Sequence, residues 1–196
     1  MTSSNAANFK AEFPAPSNSI NQVPLWLLAL ITFSGTVAMH MFVPALPAAA
    51  HDFQVSSSHV QLTLSAYIIG LAIGQLFYGP ISDRFGRKKV LLCGVVLFSL
   101  GSVGAWAASS VQMLIVARFV QALGGCSGLV LGKAIILDTF KGAKATQRLA
   151  LLSLIVMIGP GLAPLIGMAL VKLGGWRSIF ALLSLFDIAS FILIRR

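Results

Sequence analysis

From residue 13 to residue 51 the chain holds no Asp, Glu, Lys or Arg, and the same is true of 53–82, 90–117, 119–132 and 149–171. A water-soluble domain needs polar side chains over its surface and cannot leave such runs uncharged. A helix that crosses ~30 Å of hydrocarbon needs roughly 20 apolar residues, which is the length these runs supply. With 57% hydrophobic and only 10% charged residues, the chain reads as an all-α, multi-pass membrane protein. Six spans are predicted near residues 25–47, 60–81, 90–107, 111–137, 149–171 and 179–194. The stretch from Val90 to Leu137 is too long for one helix and divides at Ala108–Ser109–Ser110.

Residues 1–22, with Pro14, Pro16 and several Ser and Asn, are expected to form a disordered cytoplasmic tail ahead of a transmembrane bundle over 23–196. The small residues Ala48–Ala50 look like a cleavage site, but the apolar run before them exceeds the ~7–15 residues of a signal core. The run is therefore read as a retained span. Cys93 and Cys126 fall inside the third and fourth spans and are expected to be free apolar residues.

The formal net charge is +9, so its placement matters. Lys10, Arg84, Arg87, Lys88, Lys89, Lys141, Lys144, Arg148, Arg195 and Arg196 share one side of a six-span topology. Only Lys172 and Arg177 take the other, while Arg118 and Lys133 lie within the fourth span. Basic residues concentrate on the cytoplasmic side of membrane proteins, which puts both termini in the cytoplasm of a cell whose inner membrane holds the chain. Nucleic acid would require a continuous basic face on a folded domain, and the sequence offers none. There is no HExxH, GxSxG or P-loop, no cluster of metal ligands, and the histidines at 40, 51 and 59 are dispersed. Enzyme, cofactor and metal readings are set aside.

Much of the charge is packed into residues 79–92, GPISDRFGRKKVLL, a short turn between the second and third spans. Gly79, Pro80 and Gly86 let the chain reverse there. Asp138 ends the fourth helix, where the helix dipole already presents negative charge and an acid needs a cation. Arg84, Arg87 and Lys88 are the available partners; a solvated surface pair of little worth is the alternative. Arg118 sits about seven residues from the far end of the fourth span, ~10 Å deep, with Gln121 on the same face. A charge at that depth must face a cavity or a partner, or snorkel to the headgroups. Gly124, Gly128 and Gly132 in the fourth span, and Gly70 and Gly74 in the second, suit close helix packing. Lys133 is expected to snorkel. Asp187, the sole acid inside a span, is read as structural, paired with Arg195 or another helix.

The turn G-P-I-S-D-R-F-G-R-K-K resembles the signature loop of the major facilitator superfamily, G-x-L-A-D-R-x-G-R-K/R, at Gly79, Asp83, Arg84, Gly86 and Arg87. Arg118 to Gly124 resembles the family's R-x-x-Q-G-x-G, with Ala122 where Gly is usual. Gly159 to Met168 is similar to its antiporter signature g-x-x-x-G-P-x-x-G-G, with Ala163 and Met168 as departures. Met41 to Pro47 is similar to the D-M-Y-L-P-A-L-P segment of the Bcr/CflA (bicyclomycin-resistance) type, with His40 where that pattern has Asp.

The resemblance implies the N-terminal half of a major-facilitator fold, two inverted three-helix repeats that normally join a C-terminal six-helix half. It implies a proton-coupled drug-efflux antiporter acting on small molecules by alternating access. Gly79, Asp83, Arg84, Gly86, Arg87 and Asp138 would form a conformational latch. Gly159, Pro160, Pro164 and Gly167 would weaken the fifth helix, which the family associates with antiport. Imidazole exchanges a proton near physiological pH, so His40 could replace the missing carboxylate beside Arg118 and Gln121. A packing histidine bonded to backbone is the other reading. A metabolite importer of the same family, or a half-length chain without transport of its own, are the alternative functions.

Overall fold

The structure is a computed structural model and describes residues 24–195. The expected tail over 1–22 and the charges of Lys10 and Arg196 lie outside the described residues. The helices are α1 (Leu25–Phe42), α2 (Leu46–Asp52), α3 (Ser57–Phe85), α4 (Arg87–Trp106), α5 (Val111–Thr139), α6 (Ala143–Gly174) and α7 (Arg177–Arg195). A short 3-10 turn, Val43–Ala45, runs α1 on into α2. Counting Leu25–Asp52 as one, six helices among the described residues are long and apolar enough to cross a membrane.

A long apolar helix lies over each predicted span; the helices run past the predicted bounds by up to about two turns, except that α4 ends one residue short at Trp106. Interfacial residues such as Ser57, Arg87, Lys144 and Arg177 continue the helix because its backbone bonds survive the change from hydrocarbon to headgroups. The break at Ala108–Ser109–Ser110 stands, and Ser110 caps α5 by accepting from Met113 N at 3.2 Å. The prolines of the first span fall at the 3-10 turn and in the first turn of α2, where a missing N–H is tolerated. In α6 the helix is unbroken through Pro160 and Pro164, so the carbonyls of Val156 and Pro160 lack their usual donors.

The packing has an internal symmetry. Taking α1, α3 and α4 as one set of three and α5, α6 and α7 as the other, the helices pack mainly between the sets, in matching positions. α3 lies against α5 as α6 lies against α1, and α4 pairs with α5 as α7 pairs with α1. α1–α5 and α4–α7 contacts close the bundle. Glycine makes these approaches possible. Gly35 of α1 meets Gly125 of α5, where a Cβ would stand 2.6 Å from a carbonyl oxygen. Gly70 and Gly74 seat α3 on Phe119, Ala122 and Cys126 of α5. The glycine row of α5 serves two neighbours, Gly124 facing α4 and Gly128 facing α1. α1 and α5 are the most enclosed helices; α3 and α6 leave broad apolar faces uncovered, including Ile73, Leu76, Met157 and Leu165.

Candidate functional site

At the basic end, α3 stops at Phe85 and α4 starts at Arg87, so Gly86 alone reverses the chain. It does so at φ +92°, a conformation that L side chains rarely adopt. Arg87 is thereby aimed back at the ends of two other helices. Its Nη2 lies 2.7 Å from Asp83 Oδ1, and its Nε donates to Asp138 Oδ2 at 3.1 Å. Its Nη1 donates to Ser82 Oγ, which in turn donates to Gly79 O at 2.8 Å. Of the three basic residues expected to answer Asp138, Arg87 alone makes the pair among the described residues. Arg84 instead lies 5.5 Å from the ring of Phe85. Ser82 was not legible beforehand, since its role depends on Arg87 folding back over the last turn of α3.

Deeper in the bundle, Arg118 is fully buried. Its Nη1 donates to Gln121 Oε1 at 2.6 Å and to Ala38 O of α1 at 3.3 Å. Gln121 Nε2 passes the chain to Ser102 Oγ at 2.8 Å, and Ser102 donates to Phe98 O of its own helix. Three rings surround the guanidinium: Tyr67 at 4.2 Å, Phe42 at 5.2 Å and Phe180 at 5.6 Å from their centroids. A cation over aromatic faces is attracted by the ring quadrupole, more so when desolvated. Nε and Nη2 have no partner among the described atoms. Arg118 is thus within reach of the first span, as expected, but is enclosed by four helices rather than lining an open face. Sequence spacing places Gln121 beside it; the aromatic cage comes from three other helices and has no local signal.

His40 is half-buried, and its Nδ1 donates to Thr36 O at 3.0 Å, one turn back. No hydrogen bond joins it to Arg118 or Gln121 among the described residues. In α6, Gly159 and Gly167 both face α1: a Cβ on Gly167 would stand 2.1 Å from Met41 O, and one on Gly159 3.2 Å from Val37 Cγ2. Ala163, between them, is fully buried, so the departure from Gly is accommodated on the same seam. Pro160 and Pro164 are half-buried. Lys133 is exposed, six residues before the end of α5. Cys93 and Cys126 are free thiols. An apolar groove of about 550 Å³ opens between Trp26, Leu30 and Phe33 of α1 and Leu151 and Ile155 of α6.

The far end carries a second ion-pair joint, missed at the level of sequence. Arg177, the first residue of α7, pairs with Asp52, the last of α2, and donates through Nη2 to Ala108 O at 3.0 Å. Trp176 Nε1 donates to the same Asp52 oxygen at 3.1 Å, and Arg177 lies 4.2 Å from the Trp176 ring. This is the inverted-repeat counterpart of the basic-end joint. In each, an Arg that opens the third helix of one repeat meets an Asp that closes the first span of the other. The signal was present, since Asp138 and Asp52 hold equivalent helix-end positions and so do Arg87 and Arg177.

Asp52 accepts from Arg177 and Trp176, and its removal leaves Trp176 Nε1 without a partner. Asp52→Ala is expected to cost about 1 kcal/mol more stability than Asp52→Asn, whose amide oxygen still accepts from Trp176. Thermal unfolding of the two variants in one detergent checks this; equal losses would mean the tryptophan bond contributes nothing.

The model of the Major Facilitator Superfamily matches residues 28–196. The chain is 35% identical over 159 residues to multidrug resistance protein D of Escherichia coli K12, covering 81% of this chain and 40% of that protein. It is 34% identical over 158 residues to a bicyclomycin resistance protein homolog of Haemophilus influenzae, with the same coverage of each. The chain therefore spans about two fifths of the length of these relatives. Among solved structures, a bacterial homolog of the human lysosomal transporter Spinster superposes with a TM-score of 0.75 at 20% identity, over 87% of this chain and 41% of that one.

Proposed function

We propose that this chain, which belongs to the Major Facilitator Superfamily, is the N-terminal half of a secondary transporter that exports small, mostly apolar or weakly charged molecules in exchange for protons. The basic end and both termini face the cytoplasm, and the bundle lies in the inner membrane, as the excess of Lys and Arg at that end favours. A second six-helix half covers the outward faces of α3 and α6. The two halves rock about the cargo and open it to one side at a time.

The observation that carries this reading is Arg87. It holds the ends of α3, α4 and α5 together through exposed or half-exposed charges. Such a joint can form and break as helix ends separate, which is how a small local change becomes a two-state switch. The groove beside α1 and α6 supports an apolar cargo. The relatives' names, multidrug resistance and bicyclomycin resistance, point to drugs.

Co-expression of this chain with the C-terminal half of the H. influenzae relative, in cells lacking their own bicyclomycin pumps, tests the proposal. Reduced bicyclomycin accumulation is the expected result. Accumulation equal to that of empty cells, with the chain alone and with the added half, would favour the other reading, a half-length membrane interaction protein. The short coverage of the relatives is what keeps that reading in view.

Arg118 and Gln121 then provide polarity beside the transport path, and His40 carries the coupling proton on Nε2, the ring nitrogen left free by the Thr36 bond. Antiport makes proton and cargo oppose one another through one equilibrium. Bicyclomycin affinity of the assembled transporter should weaken as pH falls, and His40→Ala should flatten that dependence. Binding measured across the range from mildly acidic to mildly alkaline decides it. A profile in His40→Ala that matches the wild type would leave this histidine a packing residue.

A further inference from the structure

Asp187 lies ten residues into α7 and eight short of Arg195, ~12 Å from that end at 1.5 Å per residue. It is 1% exposed, and it does not pair with Arg195 or any other base among the described residues. Its Oδ1 lies 3.1 Å from Ser34 Oγ on α1, while Oδ2 is buried without a partner.

Ser34 is the informative neighbour. Its Oγ also lies 3.0 Å from Ile31 O, a carbonyl that can only accept. A hydroxyl has one proton to donate. Given to Asp187 Oδ1, that proton serves one carboxylate oxygen and leaves Oδ2, which has no partner, as a buried charge without a donor at membrane depth. Given to Ile31 O, it leaves the contact to Asp187 a hydrogen bond only if the carboxyl supplies the hydrogen. A carboxylic acid satisfies both Ser34 contacts at once.

The surroundings offer no substitute for that proton. α4 carries Arg87, Lys88 and Lys89 in its first turn, at the basic end, and after them no ionisable residue but Cys93, whose side chain is exposed; α6 carries none between Arg148 and Lys172. On α1 the only ionisable group is His40, bonded to Thr36. Tyr67 of α3 donates its hydroxyl to Gly35 O, next to Ser34, and Arg118 of α5 is turned to Gln121 and Ala38. Neither makes a hydrogen bond to Asp187 among the described residues.

We propose that the Asp187–Ser34 pair on the α1–α7 seam is a proton-binding site: the carboxyl holds a proton while the two helices are packed together and yields it to water when α1 moves off α7. The link to efflux rests on the antiport reading above; the occupancy of the site does not.

The whole chain has five acidic residues, so a carboxyl proton can be assigned by infrared spectroscopy of the protein in lipid nanodiscs. At neutral pH the wild type should show the C=O band of a protonated carboxyl. Asp187→Asn should lose that band. Ser34→Ala, which keeps the acid and removes its partner, should shift it, and this second variant decides the matter if the first folds poorly. No such band in the wild type, or one left untouched by both variants, would overturn the site.

In the assembled transporter, Asp187→Asn should also remove the part of the pH dependence of bicyclomycin efflux that His40→Ala leaves, at unchanged bicyclomycin affinity. Asn can keep the Ser34 hydrogen bond, so a purely structural role would leave that profile as it was, and an unmoved profile would overturn the link to transport. If even the wild type fails to transport, the antiport reading fails while the infrared band still decides the proton site.

Discussion

Gly124→Ala is expected to lose about 1–3 kcal/mol of stability although alanine is the better helix former. The intrinsic gain from replacing Gly inside a helix is about 1 kcal/mol. Against it, a Cβ at this position would stand 2.2 Å from Phe98 N and 2.6 Å from both Gly94 O and Phe98 Cα. These are backbone atoms of α4, so no rotamer change relieves the overlap. α4 and α5 would have to move apart, and they are also held by Gly101 against Gln121 and by the Gln121–Ser102 hydrogen bond. The same change at Gly161 of α6 meets nothing within 4 Å. Gly161→Ala should be neutral or stabilising by up to about 1 kcal/mol. Unfolding of both variants in mixed detergent gives the comparison. Equal behaviour of the two would mean that close α4–α5 contact does not set the stability of this bundle.

Arg87→Ala should abolish drug export by the assembled transporter while barely changing insertion or thermal stability. The side chains of Asp83 and Asp138 are 65% and 36% exposed, and ion pairs in that setting contribute about 0–1 kcal/mol each to folding. Folding therefore tolerates the loss. The conformational equilibrium proposed for the transporter would not, because a bias of only 1–3 kcal/mol moves a two-state population by about 5–150-fold. Arg87 is one side chain contacting Asp83, Asp138 and Ser82 together. Arg87→Lys should recover only part of the activity, since an ammonium on a flexible stem cannot reproduce a planar fork that engages several acceptors. Export and melting temperature measured on the same preparations separate the effects. Normal export by Arg87→Ala would reduce the turn to a topological anchor. A large fall in melting temperature would make it a structural staple.

The six spans, the turn at 108–110 and the reversal at Gly86 could be read along the chain because each depends on short segments. A run without charge partitions into hydrocarbon whatever its neighbours do, and Gly86 permits a backbone conformation without reference to other helices. Asp138 needing a cation could be read as well, because the helix dipole creates that need locally. Which cation answers could not. Arg84, Arg87 and Lys88 are alike in charge, and only the direction in which α4 leaves Gly86 selects Arg87. Arg118 was legible as a buried charge, yet the rings of Phe42, Tyr67 and Phe180 that enclose it come from α1, α3 and α7. The Asp187–Ser34 contact joins residues 153 positions apart, and Arg177–Asp52 joins residues 125 apart. Partition into a membrane is a property of each segment and can be read from that segment's residues alone. Pairing depends on the rotation and register of one helix against another, set where backbones touch at Gly35–Gly125, Gly124–Phe98 and Gly167–Met41. Those contacts are far apart along the chain and short in reach, so which polar groups meet is settled by how the helices pack.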